Sequence, residues 1–215
     1  MKMSQNESER RNAYVNELFA REDAALRYVR QQTAAHGIPQ ISLEPNEAKL
    51  LQLLVRLSGA RRVIEVGALA GYSGIRIARA LPADGQLITI EVNSLHAEVA
   101  REHFAYAGLA EKVTVLHGAG TDVLPKLAAD APYDLMFIDA DKGNYHNYLE
   151  WAADNLRVGG AVVADNAFWQ GNIFNPQTEE DHAMVAFNRR LAAHPQFDST
   201  IIEVGDGIAL GVKVN

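Results

Sequence analysis

Two hydrophobic runs end in polar residues: Phe137-Ile138-Asp139-Ala140-Asp141-Lys142 and Val162-Val163-Ala164-Asp165-Asn166. Each reads as a buried strand that delivers polar side chains at its C-terminal tip. Adjacent parallel strands lie about 5 Å apart, so Asp139, Asp165 and Asn166 can share one small hard cation. Two carboxylates and an amide are oxygen donors of the kind magnesium takes, and they leave positions open for a substrate. A cation held there acidifies a hydroxyl it touches. Lys142 stands three residues beyond Asp139. A nearby cation favours the neutral amine, which can accept a hydroxyl proton. Taken singly, Asp139 and Asp165 also suit helix caps, Asn166 a turn and Lys142 a surface position. All four at neighbouring tips, on the ligand-binding edge of an α/β sheet, point to a metal-dependent enzyme.

A second constellation lies upstream, in Val63-Ile64-Glu65-Val66-Gly67-Ala68-Leu69-Ala70-Gly71-Tyr72-Ser73-Gly74. This is a strand, a glycine-bearing turn and a helix start. The Gly67-to-Gly71 spacing differs from the G-x-G-x-x-G of dinucleotide sites, where the backbone must close around a pyrophosphate. Glu65 beside the turn suits a cationic or amine-bearing ligand, and Glu91, at the end of the next strand, can accept from ribose hydroxyls. An adenosine-bearing ligand with a positive centre and no phosphate describes S-adenosylmethionine. The plainer alternative makes Gly67 and Gly71 ordinary turn glycines and the two acids solvated strand ends.

Bulk properties narrow the classes. The 215 residues are 48% hydrophobic, enough for one well-buried domain. A formal charge of -7 with scattered lysines and arginines leaves no footprint for nucleic acid or an anionic membrane. Without cysteine there are no disulfides, thiolate zinc sites or cysteine nucleophiles, and the seven histidines are dispersed. A polar N-terminus and the lack of any apolar run near ~18 residues lead to the expectation of a soluble, cytoplasmic protein.

These side chains need elements to hold them. The pattern predicts a helical stretch over 11–35, broken near Arg21-Glu22-Asp23 with Asp23 as a cap, and a third helix over 45–58. Strands and helices then alternate: strands at 62–66, 86–91, 113–117, 135–139 and 160–165, and helices at 74–80, 95–107, 122–128, 145–155 and 180–194. Short β-α connections mean a parallel sheet with helices on both faces. Two last apolar runs, 199–204 and 208–214, flank Gly205-Asp206-Gly207, a hairpin signal. Aromatics in the segment Phe168-Trp169-Gln170-Gly171-Asn172-Ile173-Phe174 can sandwich a planar substrate, or pack on the sheet or at a dimer face. Tyr145 and Tyr148 read as helix packing.

With those residues placed, the chain resembles the cation-dependent class I S-adenosylmethionine O-methyltransferases, the group of catechol and caffeoyl-coenzyme A O-methyltransferases. The resemblance runs from about Ile41 to Val214. It rests on Glu65-Val66-Gly67 with Gly71-Tyr72-Ser73, on Thr89-Ile90-Glu91, on the 137–142 segment with Tyr145, on Asp165-Asn166 with Gly171, and on Val204-Gly205-Asp206-Gly207. It implies that Asp139, Asp165 and Asn166 bind the metal, with magnesium first and manganese or calcium as alternatives, and that Lys142 is the base, with Asp139 beside it in catalysis. It implies that Leu43, Glu65, Gly67, Ala68, Ser73, Glu91, Gly120 and Asp139 surround S-adenosylmethionine. It further implies a Rossmann-like α/β fold with a seven-stranded, mostly parallel sheet and an antiparallel last strand. Residues 1–40 would be a helical extension covering the substrate or a dimer face, 41–215 the catalytic domain, and the assembly a homodimer. The implied acceptor is a small phenol with vicinal hydroxyls. Ala48-Lys49 stands where many relatives have Gly-Gln, and Gly120 where Ala or Ser is usual.

Three rivals are weaker. A nicotinamide-dependent oxidoreductase conflicts with the glycine spacing and the acidic tips. A nucleic-acid N-methyltransferase lacks its Asn/Asp-Pro-Pro-aromatic signature and a basic face. A non-catalytic binding module has no reason to combine Lys142 with three metal candidates.

Overall fold

A computed structural model describes residues 5–215; the first four residues of the expected 1–40 extension lie outside it. Five runs rich in apolar residues form β1 (Arg62–Val66), β2 (Gln86–Glu91), β3 (Val113–His117), β4 (Tyr133–Ile138) and β5 (Leu156–Ala164). Together with β6 (Phe197–Ile202) and β7 (Ile208–Lys213) they make one sheet in the order β3-β2-β1-β4-β5-β7-β6. The first five are parallel. β7 runs antiparallel to both β5 and β6. The hairpin read from Gly205-Asp206-Gly207 forms, with both glycines at positive φ (54° and 84°).

Side chains alternate across the sheet with period two. Val63, Leu135, Phe137 and Val163 face one layer, shared with α2 (Ala24–Ala35), α3 (Pro45–Leu57), α4 (Tyr72–Ala80) and α5 (Ser94–Tyr106). Ile64, Met136, Ile138 and Val162 face the other, shared with α6 (Gly120–Leu127), α7 (Tyr145–Asn155) and α8 (Glu179–Ala192). α2 adds Leu26 and Val29 to the first core, and α1 (Gln5–Phe19) packs on α3. As expected, Asp23 caps α2, its carboxylate accepting from Leu26 N at 3.1 Å.

Some element ends differ from the pattern's prediction. α4 and α6 each begin two residues early, at Tyr72 and Gly120, directly after the left-handed Gly71 and the extended Ala119. β5 extends back to Leu156 through Gly159 and Gly160, with a register irregularity against β4; the glycine pair hid this end of the strand. Among the described residues no helix is long and apolar enough to cross a membrane.

Strand order reverses between β1 and β4: the chain leaves β1 toward β2 and returns on the other side. Such a switch point leaves a crevice beyond the strands' C-terminal ends. The tips of β1, β2, β4 and β5 all open into it.

Candidate active site

The β1 tip is shaped by glycine. Gly67 has φ +99°, and a Cβ there would overlap the carbonyl oxygen of Asp139 and sit 2.7 Å from its carbonyl carbon. The two backbones are pressed together because Asp139 N donates to Val66 O at 2.9 Å, while Gly67 N donates to Ile90 O at 2.9 Å. Gly71, at φ +86°, turns the chain into α4. Glu65 lies behind this turn, fully buried, its two oxygens accepting from Ser73 Oγ and Thr89 Oγ1 at 2.6 Å each. Burial pushes its carboxyl up to about 7, against the lowering effect of the two hydroxyls.

Beyond the turn is a cavity of about 610 Å³, within the usual range for a small-molecule site. Leu43, Gly67, Ala68, Ser73, Glu91, Gly120 and Asp139 all line it. Glu65 is not among these lining residues; its hydroxyl partners brace the loop and still leave each oxygen an acceptor position. Glu91 Oε2 accepts from Leu69 N at 2.8 Å and Oε1 from Asn93 N at 2.9 Å. A carboxylate has about four acceptor positions, so each oxygen keeps one for a ligand hydroxyl. Gly120 forms part of the opposite wall, where a Cβ would come within 2.9 Å of the Tyr148 ring and 2.8 Å of Val66 Cγ1.

The acidic tips meet as the strand pattern predicts. Asp165 N donates to Ile138 O at 3.0 Å, which puts the end of β5 beside Asp139. Asp165 is 5% exposed, and its Oδ1 has no hydrogen-bond partner. Burial, and then the negative charges of Asp139 and Glu47, push its carboxyl up to about 8. Burial also raises Asp139, opposed by Lys142. Asn166 follows with φ +59°, a left-handed conformation that asparagine tolerates, and it lines the cavity. Among the described residues no three His, Asp or Glu side chains converge as a ligand set, so a cation here would rest on two carboxylates and an amide. The donor chemistry fits: an orphaned, buried carboxylate oxygen beside a second carboxylate is stabilised by a hard cation.

Lys142 is buried, with Nζ donating to Tyr145 Oη at 2.6 Å and to Asp139 Oδ1 at 3.4 Å. Nζ also lies 4.6 Å from the Tyr145 ring centroid and 5.3 Å from that of Trp169. Tyr145 packs as expected, fully buried against Phe187, but its hydroxyl also holds the lysine.

Comparison with known proteins fits this geometry. A family model described as O-methyltransferase matches residues 16–214. The chain belongs to the O-methyltransferase family. A catechol O-methyltransferase of Niastella koreensis is 41% identical over 208 residues, covering 93% of this chain and 94% of the relative. Caffeoyl-CoA O-methyltransferase 1 of Arabidopsis thaliana is 31% identical over 210 residues, covering 92% and 81%. Among solved structures, the O-methyltransferase TomG from Streptomyces achromogenes, in complex with SAM and involved in tomaymycin synthesis, superposes with a TM-score of 0.91 at 34% identity over 100% of both chains.

In this O-methyltransferase the sequence missed several contributors. Glu47, from α3, reaches the far end of the site: its Oε1 accepts from Asp206 N at 3.0 Å, and burial raises its carboxyl. Asp206 in turn holds the Asn166 loop, accepting from Phe168 N at 2.8 Å through its carbonyl and from Gln170 N at 2.7 Å through Oδ1. The β6–β7 hairpin thus fixes the metal-candidate loop. Tyr148, read as packing, lines the cavity and donates to Asp141 Oδ1 at 2.6 Å. Trp169, Gln170 and Glu180 line it too, which puts the 168–174 segment at the cavity as well as on the core.

Proposed function

We propose that this enzyme transfers the methyl group of S-adenosylmethionine to one hydroxyl of a vicinal-diol phenol, with a divalent cation held by Asp139, Asp165 and Asn166. The observation that carries the reading is that one cavity joins the Gly67–Glu91 wall to Asp139, Asn166 and Lys142. SAM in the TomG complex supports the donor, and the catechol and caffeoyl-CoA names of the two relatives support the acceptor class.

When bound, the cation supplies Lewis acidity that favours the ionised acceptor hydroxyl. Lys142 Nζ is the acceptor of that hydroxyl's proton; Tyr145 and Asp139 fix where the nitrogen stands. The phenolate oxygen attacks the methyl carbon in line. The new C–O bond forms as the carbon–sulfur bond breaks, and the sulfur leaves as S-adenosylhomocysteine. Glu91 orients the donor through its free acceptor positions, and the Gly67 turn sets the donor's distance from Asp139. Rate enhancement comes chiefly from holding nucleophile and methyl at attack distance in a water-poor pocket.

The test is methyl transfer from radiolabelled donor to a panel of vicinal-diol phenols, with and without chelator, for the wild type, Asp139→Ala and Lys142→Ala. Chelator and both substitutions should abolish transfer. Full activity of Asp139→Ala without added metal would refute the mechanism. The homodimer belongs to the same reading; exposed apolar residues on α1 and α3 (Leu18, Phe19, Leu53 and Leu57) support it.

A further inference from the structure

We propose that Arg30 is a positioning residue for the cofactor half of the cavity: with Glu22 and Tyr72 it latches the 39–43 strap to the start of α4. The inference rests on reading that half as the S-adenosylmethionine site.

The strap between α2 and α3 has no regular structure, and Ile41 at its middle is exposed. It still supplies one wall, through Ile41, Ser42 and Leu43. Among the described residues, a single hydrogen bond joins 39–43 to another element: Arg30 Nη2 donates to Leu43 O at 3.0 Å. The same guanidinium donates from Nε to Glu22 Oε1 at 2.6 Å. It also covers the Tyr72 ring, 4.3 Å from its centroid. Tyr72 Oη closes the circuit, donating to Glu22 Oε1 at 2.6 Å. Tyr72 and Leu43 both line the cavity, whereas Arg30 and Glu22 do not. The planar fork of arginine suits this task, since one group makes two directed bonds and a ring contact.

The latch has a firm base. Tyr72, Arg76 and Arg79 stand at i, i+4 and i+7 on α4, one face of the helix. That face grips the link between α1 and α2: Arg76 Nη2 donates to Ala20 O at 3.2 Å, and Arg79 Nη2 pairs with Asp23 Oδ2 at 2.8 Å. Glu22, between those anchors, is therefore fixed relative to Tyr72 and to the Gly71 turn. Arg30 carries that fixed position across to the strap. Cofactor binding needs the strap held in register with the Gly67–Ser73 loop, and an unlatched strap must be ordered at the cost of affinity.

The experiment measures S-adenosylhomocysteine binding by calorimetry for the wild type, Arg30→Ala, Arg30→Lys, Tyr72→Phe and Val29→Ala, with melting temperatures for each. Val29 is a buried neighbour on α2 that makes no part of the latch. Arg30→Ala should weaken binding about tenfold, the scale of one charge-assisted hydrogen bond. The KM for S-adenosylmethionine should rise in parallel, with kcat at saturation near the wild-type value. Arg30→Lys should recover part of the loss. Hydrogen exchange of amides 40–43 should quicken in Arg30→Ala. Val29→Ala should lower the melting temperature with affinity intact. Wild-type affinity in Arg30→Ala would overturn the latch and leave the cofactor reading standing, as would an equal loss of affinity in Val29→Ala. No binding by the wild type would overturn both.

Discussion

Gly67→Ala tests the close contact between the β1 and β4 tips on which the proposed donor–acceptor geometry depends. The added carbon would sit 2.7 Å from the carbonyl carbon of Asp139 and overlap its oxygen. Ordinary carbon–carbon contact is about 3.5–4.0 Å, so the tips of β1 and β4 must part by about 1 Å. That stretches the 2.9 Å bond from Asp139 N to Val66 O beyond hydrogen-bonding range. The φ of +99° adds strain for any residue with a Cβ. Strain of about 1–3 kcal/mol and a lost buried bond of about 1–3 kcal/mol give a destabilisation of about 2–6 kcal/mol. Against a typical total of about 5–15 kcal/mol the protein should still fold. Asp139 moves with its backbone, and a 1 Å displacement costs about a hundredfold in rate. Urea unfolding and radiolabelled methyl transfer read the two effects. Gly143→Ala, with nothing within 4 Å of the added carbon, serves as the stability control and should leave the midpoint unchanged. A Gly67→Ala protein with wild-type midpoint and rate would refute this reasoning.

Tyr145→Phe removes the 2.6 Å partner of Lys142. The kcat should fall by about tenfold or more while stability drops by only about 1 kcal/mol, the scale of one buried hydrogen bond; an unchanged kcat would remove Tyr145 from the positioning of the base. The carboxyl of Asp165 gives a pH signature. Its folded-state value, about 8, lies above its ordinary 3.8 because it is buried beside Asp139 and Glu47, so the native state holds the extra proton. Stability from this group is fully present below about pH 4 and is lost as pH rises through the folded value. In the proposed mechanism a divalent cation takes the place of that proton. The rise in melting temperature on adding magnesium to chelator-treated protein should therefore be larger at pH 8 than at pH 6, and a gain independent of pH would contradict the assignment of Asp165.

Much of the fold was legible because its rules are local. Apolar runs ending in acid located β4 and β5, and glycine spacing located the β1 turn. What escaped depends on contacts distant in sequence. Glu65 is legible as an acid beside the β1 tip, but the hydroxyls that meet it are not. Alternation with Val63 turns it toward α4, and Ser73 from that helix and Thr89 from β2 donate to its two oxygens. Glu47 meets Asp206 across 159 residues, and no motif marks such a pair. Arg30 looks like one more exposed helical arginine until Glu22, Leu43 and Tyr72 gather around it. The Gly159-Gly160 pair concealed the first residues of β5, since glycines in a strand read as a turn.

The proposed mechanism requires two neighbouring strand ends to hold a cation beside the cofactor cavity. Anomalous scattering from a crystal soaked in manganese and S-adenosylhomocysteine tests it directly. One strong peak is expected among the side-chain oxygens of Asp139, Asp165 and Asn166, with the cofactor product along the Gly67–Glu91 wall. A manganese peak elsewhere, with those three side chains uncoordinated, would contradict it.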